Sequence, residues 1–199
     1  MVTAEQVKND RAVKAYIAKA DESLSALGYT EHSFAHVGLV ANTAKYILET
    51  LGYDAHQIEL AQIAGYLHDI GNVVNRVDHS QSGAVMAFRI HDEGTGVPVN
   101  AVAAALILAD KSDVRRSRVR EKDSSKFDFH DRVNYSVQKG SLRINEAKTV
   151  VELELEIDTA YGSVMDYFEI FMERMILCRK AAEKLGLHFR LTINGQQLL

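Results

Sequence analysis

The sequence predicts a mainly α protein: a helical bundle over residues 1–120, followed by a small α+β unit over 121–199 made of an antiparallel sheet and one long helix. Three observations carry this. Capped amphipathic stripes of helical period fill the first half of the chain, and a charged connector, VRRSRVREKDSSK, begins at Val114. Beyond it Val151, Leu153, Leu155 and Ile157 alternate with Glu152, Glu154, Glu156 and Asp158, the two-residue period of a half-buried strand.

Each element has its own signal. Thr3 has capping-box spacing to Gln6, and Val7, Val13, Ile17, Leu24 and Leu27 form a stripe that stops at Gly28, which predicts one helix. A second runs from about Ser33 to Leu51 and closes at Gly52. Asp54 caps a third, with Ile58, Ala61, Ile63, Ala64 and Leu67 apolar and Gly71 as its stop. Residues 80–90 read as helical, and the breaker cluster GTGVP ends at Pro98, which is placed to open the almost wholly apolar helix VNAVAAALILAD. Such a helix must be buried, and its first strong polar group is Asp110. In the second unit Leu142 and Ile144 suggest a hairpin partner across INEAKT, a long amphipathic helix spans about Thr159 to Leu185, and Phe189, Leu191 and Ile193 mark a last strand.

Bulk properties exclude several classes. The 199 residues are 47% hydrophobic and 25% charged, with a net charge of −4 that disfavours nucleic acid and anionic lipid as general partners. No apolar run approaches the roughly 18 residues a membrane span requires, and the polar start MVTAEQVKNDRAVK lacks signal-peptide character, so a cytoplasmic protein is expected. The single cysteine, Cys178, stands beside Met175, Ile176 and Leu177 and reads as a small apolar side chain. A sheet this small leaves edges to cover, so a homodimer is expected.

Six of eight histidines fall between residues 32 and 91. Their positions matter more than their number: His36 opens its helix, His68 and Asp69 close theirs in GYLHDIGN, and Asp110 closes another. Side chains at helix ends can converge on one small object, and two or three imidazoles with carboxylates suit manganese, iron, cobalt, nickel or zinc better than calcium. His32 stands four residues before His36 but precedes the cap Ser33, which makes it a minor candidate. His56 and His130 read as exposed first-turn residues.

His36-Val37, then Val40-Ala41 and Ala44, then AGYLHDIGN, then ILADKSD resemble, in that order, the signature of the HD-domain superfamily of metal-dependent phosphohydrolases. The resemblance covers about residues 30–115. It implies an HD-type helical bundle, a divalent metal held by His36, His68, Asp69 and Asp110, catalysis centred on Asp69, and hydrolysis of a nucleotide or other small phosphorylated metabolite by a metal-bound hydroxide. DHSQSGAVMA and IHDEGTG resemble the segments that supply further histidines in two-metal members, which places His79 and His91 at a second ion. These two are twelve residues apart, about 120° out of alignment on one helix, so one metal per chain is expected, with the second weak or absent. Asn72 stands where many members carry a phosphate-contacting lysine, which shifts that role to Lys111 and Arg115. The alternatives are a regulatory or ligand-sensing HD module without turnover and an oxygen-using di-iron HD enzyme. The α+β unit is expected to cover the site, recognise substrate or pair subunits.

Overall fold

The computed structural model describes residues 2–73, 98 and 100–199. Among them are seven α-helices and one four-stranded sheet. The predicted first helix is two: α1 (Ala4–Asn9) and α2 (Arg11–Ala26). Asp10 divides them because its backbone is extended (φ −65°, ψ 130°) and its carboxylate accepts from the Ala12 and Val13 amides, capping a new helix instead of continuing the old one. The Thr3–Gln6 capping box forms as expected.

Helix α3 (Phe34–Leu51) starts from the Ser33 cap and ends at Gly52, whose φ of 81° favours glycine. Helix α4 (Ala55–Leu67) is capped by Asp54 and ends with His68, after which Ile70–Val73 turn as a 3₁₀ helix that contains Gly71. Helices α3 and α4 touch at Gly65. A Cβ there would lie 2.6 Å from Ala41 Cα and 2.8 Å from Ala41 N, so only hydrogen fits between the two backbones. Helix α5 (Ala101–Lys111) opens three residues later than Pro98 because Asn100 caps it, accepting from the Ala103 amide. Every residue from Val102 to Lys111 is buried, as its composition requires. No helix among the described residues is long and apolar enough to cross a membrane.

After α5 the chain makes a short helix, α6 (Phe129–Ser136), then strands β1 (Val137–Ile144) and β2 (Val150–Ile157), helix α7 (Val164–Lys184), and strands β3 (His188–Ile193) and β4 (Gln196–Gln197). Helix α7 starts five residues after Thr159, where Ser163 forms a capping box with Asp166. The expectation of an antiparallel sheet is corrected: β1–β2 and β3–β4 are antiparallel, but β2 and β3 are parallel. The reason is the connection. A helix of 21 residues carries the chain back along the sheet, and such a crossover sets its flanking strands parallel.

Val151, Leu153, Leu155 and Ile157 face inward, as the alternation predicts. The opposite face stays solvated and is laced by charge: Lys139 pairs with Glu156 at 3.1 Å, and Thr192 donates to Glu152 at 2.7 Å. One buried apolar cluster runs from Val40, Ile47 and Leu48 of α3 through Leu106 and Leu108 of α5 to Leu153, Tyr167, Phe171 and Leu191. Cys178 is buried within it.

Candidate metal centre

Three helix ends meet where the sequence places its histidines and aspartates. His36 lies in the first turn of α3, His68 and Asp69 follow the last turn of α4, and Asp110 lies in the last turn of α5. All four are buried. The Nε2 atoms of His36 and His68 are 3.2 Å apart. Asp69 Oδ2 is 3.4 Å from the first and 3.3 Å from the second, and Asp110 Oδ1 is 3.4 Å from each. Donor atoms of His36, His68 and Asp69 all lie within 4.8 Å of one another. Donors bound to an ion at about 2.1 Å sit roughly 3.0–3.4 Å apart when they subtend roughly 90–109°, so these spacings are those of a coordination sphere.

The opposite atom of each donor group is held. His36 Nδ1 is 2.7 Å from Asp113 Oδ2, and His68 Nδ1 is 2.8 Å from the Gly65 carbonyl oxygen. A neutral ring that donates from Nδ1 presents the Nε2 lone pair inward, and such partners orient metal-binding histidines. Asn72 Nδ2 donates to Asp69 Oδ1 at 3.0 Å, and Lys111 Nζ sits 2.9 Å from Asp110 Oδ2. Each carboxylate thus has one oxygen anchored and one turned inward. Asp69 Oδ2 is buried and accepts no hydrogen bond among the described residues. A buried carboxylate oxygen left so costs on the order of 1–3 kcal/mol or more, and a cation between it and the imidazoles removes that penalty. The donor set therefore fits a divalent transition ion.

Electrostatics agree with the geometry. Burial and Arg118 press the His36 imidazole toward neutrality, but the neighbouring carboxylates of Asp110, Asp113 and Asp69 outweigh them and raise its pKa. His68 is likewise pushed down by burial and lifted further by Asp69 and Asp110, to about 10. Burial raises the Asp69 and Asp110 carboxyls, yet His68 beside Asp69, and Lys111 and His68 beside Asp110, hold both well below the usual range. Against the same burial, the His36 hydrogen bond and Arg118 keep Asp113 at about 2. The pocket attracts positive charge, and a metal ion would enter it by displacing protons.

The structure brings together His36, His68, Asp69 and Asp110. Lys111 is buried against Asp110. Arg115 divides its guanidinium among Asp113 (Nε, 2.8 Å), Glu31 (Nη2, 3.2 Å) and Ser117 (Nη1, 2.6 Å). His32 packs its ring edge-on against His36 at 5.5 Å, with Nδ1 2.7 Å from the Thr30 carbonyl; burial takes its pKa to about 3. His56 and His130 are exposed. His79 and His91 lie outside the described residues.

Two participants carry no sequence signal for the roles they take. Asp113 ends the ILADKSD run, but nothing in its spacing says that it orients His36. Arg118 sits in the charged connector and is nonetheless buried, donating to the Asp113 and Glu31 carbonyls at 2.9 and 3.0 Å. That connector is a strap: Arg116 donates to the Tyr135 carbonyl at 2.6 Å and lies over its ring, and Arg120 donates to the Tyr29 carbonyl at 2.9 Å.

No solved structure matches the chain. The chain is similar to the uncharacterized protein MJ1020 of Methanocaldococcus jannaschii, 24% identical over 214 aligned positions that cover 85% of this chain and 80% of the relative. The HD domain family model matches residues 33–109, which takes in His36, His68 and Asp69 and stops one residue before Asp110. That match falls on the helices that build the centre, and residues 33–109 are similar to the HD domain.

Proposed function

We propose that the chain is a metal-dependent phosphohydrolase that cleaves a phosphate ester of a nucleotide or another small phosphorylated metabolite. The observation that supports this best is the convergence of four buried donors whose opposite atoms are each anchored, three of them within the segment similar to the HD domain and the fourth, Asp110, directly after it. His36, His68, Asp69 and Asp110 would hold one manganese, iron, cobalt, nickel or zinc ion. Bound there, such an ion lowers the pKa of a coordinated water and polarises a phosphoryl oxygen.

The chain's own residues prepare that chemistry. Asp113 and the Gly65 carbonyl fix the imidazole tautomers, while Asn72 and Lys111 fix the carboxylates. The proposed phosphate contact rests first on Lys111, whose ammonium borders the centre, and second on Arg115, whose guanidinium is shared with Asp113 and Glu31.

The test is a screen of phosphorylated metabolites with each of these metals added, with metal content measured on the same protein. Phosphate release is expected from the metal-loaded chain. Asp69→Ala should lose bound metal and phosphate release together and keep its helical signal. Full metal occupancy in Asp69→Ala would overturn the site. Oxygen consumption without phosphate release in the wild-type protein would move the reading to the oxidative alternative.

A further inference from the structure

Helix α3, the end of α5 and strand β1 together line a cavity of about 370 Å³. That volume suits a small ligand, at the lower end of the roughly 300–1,000 Å³ that such sites occupy. Leu39, Thr43 and Tyr46, spaced four and three apart on one face of α3, form a wall, and Val114 and Leu142 extend the apolar lining.

The cavity lies behind the metal-binding face of His36. Asp113 is in its wall with Oδ2 2.7 Å from His36 Nδ1, so the imidazole stands between the cavity and the Nε2 atom turned toward the other donors. A molecule held here is out of reach of those donors. The charged groups of the lining are matched to one another: Asp113 accepts from Arg115 Nε at 2.8 Å, and Arg115 also reaches Glu31 Oε2 at 3.2 Å and Ser117 Oγ at 2.6 Å. Such a lining suits a neutral ligand.

It also presents the open edge of the sheet. The Asn145 amide donates to the Val150 carbonyl of β2 at 3.0 Å, whereas the Ile144 amide points the other way, to Tyr46 Oη at 3.3 Å. Antiparallel strands alternate their backbone groups in this manner, so Leu142 and Gly140, two and four residues before Ile144, turn theirs outward toward the cavity they line. No other described element bonds through its backbone to the Gly140 carbonyl or the Leu142 amide. These two groups are neighbours on the strand edge, an acceptor beside a donor.

That open edge is short. Tyr46 closes it at Ile144, and the register shift between Val137 and Lys139 breaks it on the other side. An added strand needs a longer run of pairing, but a flat molecule with one donor next to one acceptor needs only these two groups. The edges of nucleobases carry such pairs, and their faces stack on aromatic rings.

We propose that this cavity is a second ligand site, separate from the candidate metal centre, which takes the base of a nucleoside. The base pairs its donor and acceptor with the Gly140 carbonyl and the Leu142 amide and lays its face on Tyr46 and Leu39. This proposal is independent of the phosphohydrolase reading.

The test is calorimetric titration of the full chain with adenosine, guanosine, cytidine and uridine, as purified and after chelation. Saturable binding of at least one nucleoside is expected in both states, with the Leu142 amide resonance shifted in a proton–nitrogen correlation spectrum. Thr43→Phe fills the cavity from α3, and Tyr46→Ala removes the stacking ring; each should weaken binding by about tenfold or more with the helical signal unchanged. No saturable binding of any of the four, binding that disappears on chelation, or full affinity in Tyr46→Ala would overturn the proposal.

Discussion

Asp113 stays outside the ring of donor atoms, yet it selects the nitrogen that His36 presents. By accepting from Nδ1 it leaves Nε2 free to bind, and Arg115 and Arg118 hold Asp113 in place from behind. Asp113→Asn keeps the shape and removes the charge. Bound-metal affinity should fall about 10- to 100-fold, as is usual when an outer partner of a metal-binding histidine is changed, and a chelator-competition titration reads this directly. The helical signal should not move. At this scale the meeting of His36, His68, Asp69 and Asp110 was legible, because a histidine or aspartate at the end of an apolar helix has few structural reasons to be there. Asp113, Arg118 and Asn72 were not assigned their supporting roles, since such residues need only be near in space and obey no spacing in sequence.

Helix α4 carries a glycine in its interior, where glycine costs about 1 kcal/mol relative to alanine. The compensation is contact: Gly65 allows the α3 and α4 backbones to touch at Ala41, and one turn further on His68 arrives 3.2 Å from His36. Gly65→Ala forces the helices apart. It should destabilise the chain by about 1–3 kcal/mol despite the better helix former, measured by urea unfolding, and should weaken metal binding in the same protein. Most helices could be read from their caps, and β2 from its alternation, because those signals are local. The break at Asp10 was missed because the apolar stripe carries on across it. The parallel pairing of β2 with β3 was missed because direction is set by the route of α7 between them, and the local turn INEAKT speaks only for β1 and β2.

Across the whole molecule, α5 is buried along its length in a core that also takes in α3, α4, α7 and the sheet. The three helix ends that meet at the centre draw their donors from residues 36, 68, 69 and 110. An unfolded chain scatters these groups, so an ion that fits the folded site has little hold on the unfolded one. A metal held there would be a staple as well as a reagent: it would tie α3, α4 and α5 together across more than a third of the sequence, as a crosslink would, and could be withdrawn by a chelator. A ligand present at 100 times its dissociation constant stabilises the folded state by about 2.7 kcal/mol. Thermal unfolding of the wild-type chain should rise with added metal and fall back on chelation, and Asp69→Ala should show neither shift. A wild-type melting temperature indifferent to metal would show that the three helix ends are fastened by packing alone.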